Sequence, residues 1–251
     1  MSDLQGKTAI VTGGSRDIGR SCCVKLGEQG CNVVVNYNAN KAAADETVSA
    51  VEAAGGKAIA VKGDMTQKAD VDNLVAEAAK AFGNDIHVLV NNVGGLVARK
   101  KLGEMDEEFL NHVMALNVNS TFLTTQAVVP HMPTGSSIIN LASLAGRDGG
   151  GGGASAYSMS KGAVITFTRS MAKELGPQGI RCNALCPGMI DTTFHDTFTP
   201  DAVRTNVENS VPLRRQGHPD DCADTVVYLA SEKSAYITGA NIDINGGMFF
   251  S

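Results

Sequence analysis

The chain has no apolar run approaching the roughly 18 residues of a membrane span, and no basic-then-apolar stretch at its N-terminus. The first absence argues against a membrane-spanning helix and the second against a secretory leader, so a cytoplasmic setting is expected. Basic residues are in deficit: 21 Lys and Arg face 26 Asp and Glu, a net charge of −5. That balance argues against a nucleic-acid or anionic-membrane partner, so any anionic ligand must be held by a local site. Linkers and internal repeats are missing too, and the one low-complexity patch, Gly149–Gly153, is short enough to be a loop. The 251 residues are therefore expected to form one domain, 1–251, large enough to bury a sizeable core. Six cysteines are present, but adjacent Cys22 and Cys23 do not make a secreted disulfide framework. Cys182 and Cys186 have no His at ligand spacing, so no metal is expected and small buried thiols fit that apolar run.

What is present is alternation. Lys7–Val11 reads as a strand ending in TGGSRDIGR, which leads into a helix from about Ser21. Cys31–Tyr37, Lys57–Lys62 and Ile86–Val90 read as the next three strands, separated by helices over Lys41–Ala54 and Lys68–Phe82. A helical pattern runs from Met105 to about His131, with Phe109, Val113, Leu116, Phe122 and Leu123 available for one face. Ser137–Leu141 and Ile180–Leu185 flank a long amphipathic helix, Ala154–Leu175. Met189–Asn209 has no regular period and reads as a loop or small lid; a helix over Asp220–Ser231 and a strand over Ala240–Ile244 follow. Strands apolar on both faces, alternating with helices, predict an α/β fold whose parallel sheet is covered on both sides.

Two stretches carry chemistry. Tyr157 and Lys161 stand four apart on the long helix, about one turn, so both lie on one face. A phenol titrates at about 10, and a neighbouring ammonium is expected to lower that value, making the tyrosine a general acid or base. Alone, such a pair could share a helix face by accident. The strand, glycine-rich turn and helix at the N-terminus form the setting in which glycines admit a pyrophosphate to the helix amides.

In order and spacing, TGGSRDIG, NNVG, Asn117, Ser143, YSMSK, CPGMIDTT and INGG resemble the short-chain dehydrogenase/reductase superfamily across essentially the whole chain. The resemblance implies a Rossmann-like, doubly wound parallel sheet of seven strands with helices on both faces, and nicotinamide-dependent hydride transfer. It puts a catalytic tetrad on Asn117, Ser143, Tyr157 and Lys161. Ser143 would polarise the substrate carbonyl and stabilise the developing alkoxide, and Tyr157 would donate the proton. Lys161 would hold the cofactor ribose and keep the phenol acidic, while Asn117 would anchor a water linking Lys161 to solvent. Cofactor contacts are implied at Gly13, Ser15, Arg16, Ile18 and Gly19 of the turn, and at Tyr37, Asp64, Met65 and Asn91 beyond the second to fourth strands. Tyr157, Lys161, Pro187, Gly188, Ile190 and Thr192 complete the implied cofactor set.

One residue departs from the family pattern: Asp17 stands where the nucleotide turn usually has glycine. Its carboxylate either weakens cofactor binding near the pyrophosphate or points away from it. Asn36-Tyr37-Asn38 ends the second strand without the acid that grips a ribose 2′-hydroxyl, and Arg16, with Lys41, could meet a 2′-phosphate instead. NADP(H) is therefore expected over NAD(H), with NAD(H) use possible.

The segments 91–100, 145–153 and 186–198 follow strands at the carboxyl end of the sheet and offer no long apolar stripe. Arg99, Arg147 and Thr193 are the expected substrate contacts, beside Asp191, Thr192 and His195, and suit a small, hydroxylated, anionic carbonyl compound. The alternative for either arginine is a loop ion pair with Asp148 or Asp191. These segments resemble the reductases of alginate breakdown, which implies reduction of 4-deoxy-L-erythro-5-hexoseulose uronate to 2-keto-3-deoxy-D-gluconate. A 3-oxoacyl-carrier-protein reductase is the alternative enzyme, with Arg99-Lys100-Lys101 as part of a basic patch for an acidic carrier. A cofactor-binding regulator is the non-enzyme alternative, though it has no need of an intact tetrad. The resemblance also implies a homotetramer in which the two long helices pair between subunits and the apolar tail Met248-Phe249-Phe250 is covered.

Overall fold

Two-residue alternation inside uninterrupted apolar runs decides the architecture. In β2 (Asn32–Tyr37), Val33, Val34 and Val35 are all fully buried, Val33 and Val35 in one core and Val34 in another. β1 (Thr8–Val11) repeats the pattern with Ala9 and Val11 against Ile10. Burial of a Val, Leu or Ile side chain stabilises by about 1.5–3 kcal/mol, so a strand with apolar residues on both faces needs a covering layer on each.

A computed structural model describes residues 3–250. Among them the remaining strands are β3 (Lys57–Lys62), β4 (Val88–Asn91), β5 (Ser137–Leu141), β6 (Arg181–Pro187) and β7 (Asn241–Ile244). The helices are α1 (Asp17–Glu28), α2 (Lys41–Ala53), α3 (Lys68–Phe82), α4 (Glu107–Met114), α5 (Ser120–Val128), α6 (Ala145–Asp148), α7 (Ser155–Leu175), α8 (Thr193–Phe198), α9 (Asp201–Ser210) and α10 (Pro219–Ala230). All seven strands pair in parallel, in the order β3-β2-β1-β4-β5-β6-β7. Ile10 sits in register between Val34 and Leu89, and Ile138 between Leu89 and Cys182. Helices α1, α2 and α10 cover one face through Cys22, Leu26, Val51, Cys222 and Leu229. Helices α3, α5 and α7 cover the other through Leu74, Val75, Val128, Ala172 and Leu175. This is the doubly wound, Rossmann-like arrangement, and the chain reverses its strand order between β1 and β4, where such sheets take their ligands.

Three segments differ from expectation. The single helix expected over 105–131 is α4, a π-helical turn over Ala115–Asn119, and α5, with 3-10 turns at Leu102–Glu104 and Val129–His131. The hydroxyls of Ser120, Thr121 and Thr124 bond back to carbonyls four residues earlier, at 2.6, 3.0 and 2.8 Å. The widened turn shifts the apolar stripe out of phase, and Phe122 ends 46% exposed. Met189–Asn209, expected as a loop or lid, holds α8 and all but the last residue of α9; α8 is about one and a half turns long and α9 is polar overall, and neither has a buried residue. The four-residue α6 is too short to leave a periodic signal.

All six cysteines are buried with free thiols. Among the described residues no cluster of His, Cys, Asp or Glu could hold a metal ion, and no helix is long and apolar enough to cross a membrane.

Candidate active site

Helix α7 starts after the glycine loop, and its inner face is built from Ala156, Ser160, Val164 and Thr168, all buried. Small and β-branched side chains let it sit close on the sheet, which carries Lys161 inward until it is only 4% exposed. There its Nζ donates to the Leu141 carbonyl at the end of β5 (2.6 Å), 5.9 Å from the Tyr157 ring centre. Ser143 lies two residues beyond β5; its Oγ accepts from the Ala145 amide at 3.1 Å and lies near enough to the Tyr157 phenol to act on its titration.

The expected lowering of the phenol by the ammonium is not what the geometry produces. Burial pushes the Tyr157 phenol up, and the nearby Ser143 hydroxyl opposes that rise. Burial also pushes the Lys161 ammonium down, to about 8. Desolvation disfavours phenolate and ammonium alike, and it is the largest cause of both shifts. The result is a protonated phenol beside a hydroxyl, an arrangement suited to giving a proton to a developing alkoxide.

Asn117 lies in the π-helical turn, fully buried. Its Oδ1 accepts from the Gly95 amide (3.0 Å), and its Nδ2 donates to the carbonyls of Gly95 and Val113, both at 2.9 Å. The side chain expected to anchor a water is engaged by backbone, and it braces the loop after β4 against Lys161. Gly94 completes this corner: a Cβ there would lie 2.6 Å from Asn117 Oδ1 and 2.8 Å from Lys161 Nζ. Asn117, Ser143, Tyr157 and Lys161 thus converge at the carboxyl end of β4 and β5.

The nucleotide turn is held by residues that sequence reasoning missed. Thr12 Oγ1 accepts from the amides of Asn92 and Val93 (2.9 and 3.1 Å), and Asn92 Nδ2 donates to the carbonyls of Thr12 and Gly13 (2.9 and 3.1 Å). Asn36 Oδ1 accepts from the Gly13 amide at 3.0 Å, while its Nδ2 reaches Gly63 O at 3.0 Å. These polar residues at strand ends tie the turns after β1, β2, β3 and β4 into one rim; the paired Asn91-Asn92 and the Asn36 before Tyr37 were the available signal. At Gly19, a Cβ would fall 2.2 Å from Gly13 O, so only glycine lets α1 start beneath the turn. The N-cap of α1 has no side-chain acceptor, and its first amides face the rim with the helix's partial positive charge. Backbone amides, glycine clearances and the switch-point position together fit a dinucleotide.

The other expected cofactor residues are placed as follows. Tyr37, Ile190 and Thr192 are buried at strand ends or beyond them, and Met65 lies in the core, so its thioether is not open to a ligand. Asp64 Oδ1 closes its own turn on Thr66 N and Oγ1 (2.9 and 2.8 Å). Asn91 points its amide away from the cleft, to Thr125 Oγ1 and Asn140 Oδ1 (3.0 and 2.8 Å). Ser15 O accepts from Thr47 Oγ1 at 3.4 Å; Pro187 and Gly188 lead out of β6, with their backbone paired to Leu144 and Ile244. Lys41 is paired with Asp45 at 2.7 Å, and Arg16 donates to Thr193 Oγ1 at 2.9 Å.

A lid covers Tyr157. Phe194 of α8 stacks at a tilt on the Tyr157 ring, with centroids 5.9 Å apart, and touches Phe198 edge-on. Arg99 bridges the lid and the glycine loop, its Nη1 on Gly152 O (3.0 Å) and its Nε on Phe198 O (3.4 Å). His195 is held neutral, its pKa pushed down to about 4 by burial and then by the Arg204 and Arg99 guanidinium groups. Arg204 itself pairs with Asp191 and Asp196. Arg147 is not brought to the lid with Arg99. It is paired with Asp243 of β7 at 3.3 Å, both side chains largely buried, and lies over the Phe249 ring. The expected alternative of a loop ion pair holds for it in kind, with a different acid. A surface cleft of about 530 Å³ beside Asp3, Leu4, Tyr228 and Lys233 contains none of the tetrad.

Comparison with known proteins agrees with this geometry. Residues 13–249 match a family model described as enoyl-(acyl carrier protein) reductase. A 3-oxoacyl-[acyl-carrier-protein] reductase of Staphylococcus aureus is 38% identical over 245 residues, covering 97% of this chain and 98% of the relative. The solved structure of an NADH-dependent reductase, A1-R′, responsible for alginate metabolism, superposes with a TM-score of 0.91 at 33% identity over the full length of both chains. A short-chain dehydrogenase/reductase from Serratia marcescens gives 0.91 at 36% identity, covering 97% of this chain and 98% of its own.

Proposed function

This chain belongs to the short-chain dehydrogenase/reductase superfamily and is an NAD(P)-dependent oxidoreductase, and from that premise we propose that it reduces a small anionic keto or aldehyde sugar acid. The substrate we assign is 4-deoxy-L-erythro-5-hexoseulose uronate, reduced to 2-keto-3-deoxy-D-gluconate. A nicotinamide cofactor held at the turn around Gly13 and Gly19 and the start of α1 would supply the hydride for the carbonyl carbon. Ser143 hydrogen-bonds the carbonyl oxygen, Tyr157 gives it the phenolic proton, and Lys161 faces the tyrosine from the depth of the site. Asn117 keeps the loop after β4 in place beside that lysine.

The observation that carries the substrate class is Arg99, a cation on the lid side of the site with the neutral His195 near it. Its Nε and Nη1 are engaged by carbonyls, which aims the planar group and leaves Nη2 for a carboxylate. Thr193 stands on the same lid. Arg147, tied to Asp243, serves this reading only by fixing the loop that carries Ser143.

For the cofactor we favour NADP(H) over NAD(H), because no carboxylate follows β2 before the paired Asp45, and an acid there would repel a 2′-phosphate. NADH dependence, as in the reductase A1-R′, is the competing outcome. The 38% identity to acyl-carrier-protein reductases supports the second reading, a 3-oxoacyl reductase. We further propose a cytoplasmic homotetramer of single-domain subunits, since Phe122 on α5, Met159 on α7 and Phe250 near the C-terminus are exposed apolar groups on the surfaces expected to pair.

One set of assays tests this reading: nucleotide oxidation with NADPH and NADH against alginate-lyase products, acetoacetyl thioesters and uncharged aldehydes. Expected are a preference for NADPH and for the uronate, and in Arg99→Ala a rise in KM about tenfold or more for the uronate with little change for an uncharged aldehyde, the loss of one charge-assisted contact. Efficient reduction of acetoacetyl thioesters with no activity on the uronate would transfer the assignment to the second reading.

A further inference from the structure

We propose that Asp17 is a positioning residue whose carboxylate latches the lid to the nucleotide turn and so holds α8 over Tyr157. The residue stands at a place in the turn that demands an unusual backbone: its φ is +50°, a conformation glycine adopts freely and an L-residue seldom does. A side chain merely tolerated there would point to solvent. Instead both oxygens of Asp17 address one residue 176 positions away, Thr193, the first residue of α8. Oδ2 accepts from Thr193 Oγ1 at 2.5 Å and Oδ1 from the Thr193 amide at 3.3 Å. Arg16 joins from the neighbouring position, its Nη1 2.9 Å from Thr193 Oγ1 and its Nε 3.8 Å from Asp17 Oδ2.

The next residue along the chain connects this contact to chemistry, because Phe194 is the ring that stacks on Tyr157. No residue of α8 or α9 is buried, so the lid's position depends on polar ties rather than on apolar packing. α8 is tied to the body of the protein at its start by Asp17 and Arg16 on Thr193 and at its end by Arg99 on Phe198 O, while Gln216 holds Arg204 and Glu208 of α9. The departure at position 17 thus exchanges the ease of a glycine turn for a clamp on the cover of the site. The carboxylate is aimed at the lid and not at the amides of α1. The inference rests on the reductase reading only for the meaning of the lid; the contact itself does not depend on it.

Hydrogen exchange followed by mass spectrometry on the intact, ligand-free protein tests the latch without any turnover. Asp17→Gly suits the backbone conformation, so the fold should survive and the turn lose strain. Exchange across 193–199 should then accelerate about fivefold, the size of one partly exposed hydrogen bond to a charged group. Thr193→Val should accelerate the same peptides, and the double variant should exceed Asp17→Gly by less than twofold, because both changes break the Asp17–Thr193 contact and the double variant loses only the exposed Arg16–Thr193 bond besides. Asp17→Asn, which keeps an acceptor for Thr193 and loses the charge, should stay within about twofold of wild type. Asp17→Gly indistinguishable from wild type, additive effects in the double variant, or Asp17→Asn as fast as Asp17→Gly would each overturn the latch. A protein that shows the exchange pattern yet reduces no carbonyl compound would refute the proposed reaction and leave the latch standing.

Discussion

Lys161→Met should make the protein more stable at neutral pH while disabling the site. Methionine matches lysine in length and lack of branching, so the change removes charge with little change in packing. Burial brings Lys161 from its ordinary 10.5 to about 8, which means that the folded state disfavours the charged form relative to the unfolded chain. At about 1.4 kcal/mol for each tenfold change in proton affinity, that penalty is on the order of 3 kcal/mol below pH 8. Against it stands the bond to Leu141 O, whose loss leaves a buried carbonyl unpaired at about 1–3 kcal/mol. The difference leaves the variant ahead by about 1 kcal/mol at pH 7, roughly 2–4 °C in Tm for a chain of this size. The pH dependence carries the sign. A depressed lysine gives wild type its full stability only above the unfolded value of 10.5, and that stability is lost as pH falls through about 8. Wild type should therefore gain on the variant by about 1.4 kcal/mol per pH unit above pH 8, and overtake it near pH 9. Urea unfolding of both proteins at pH 7, 8, 9 and 10, at one protein concentration, measures the difference. A variant less stable at pH 7 by an amount that does not change up to pH 10 would refute the assignment of Lys161 as a desolvated cation.

Two further outcomes follow from the same geometry. Tyr157→Phe keeps the ring against Phe194 and removes the proton donor, so turnover should fall by about 10²–10⁴-fold with substrate binding little changed; wild-type turnover on the true substrate would exclude Tyr157 as the acid. Arg181 lies far in sequence from the nucleotide turn and closes the C-terminal end of α10, donating to Leu229 O at 2.7 Å, Ser234 Oγ at 2.8 Å and Ser231 O at 3.2 Å. Arg181→Ala should cost about 2–4 kcal/mol in chemical unfolding and leave kcat/KM within about twofold, with Arg181→Lys recovering less than half because a single ammonium cannot span the three acceptors. A loss below about 0.5 kcal/mol would mean that water replaces the guanidinium.

The sequence by itself determined the layered sheet, because Val33, Val34 and Val35 are apolar with no polar alternate, and only a strand covered on both faces buries all three. Helical spacing likewise placed Tyr157 and Lys161 on one face, and the strand–glycine–helix order placed the nucleotide turn. These features are local: they depend on periods of two and 3.6 residues and on the conformations glycine allows. Long-range contacts decided the rest. The π-helical turn that carries Asn117 depends on Gly95, and the direction of the Tyr157 shift depends on how deeply the sheet and lid bury it, not on the lysine one turn away. Sequence offered Arg147 as a substrate contact, with an ion pair to Asp148 or Asp191 as the alternative, and the pairing with Asp243 needed β7 to arrive beside β6. Asp17 is the clearest case. Sequence offered two directions for its carboxylate, and only the chain's return 176 residues later brought Thr193 to meet it. Side-chain direction and desolvation are properties of the packed molecule, fixed by neighbours distant in the chain, whereas the elements that bring those neighbours together were already legible in the order of residues.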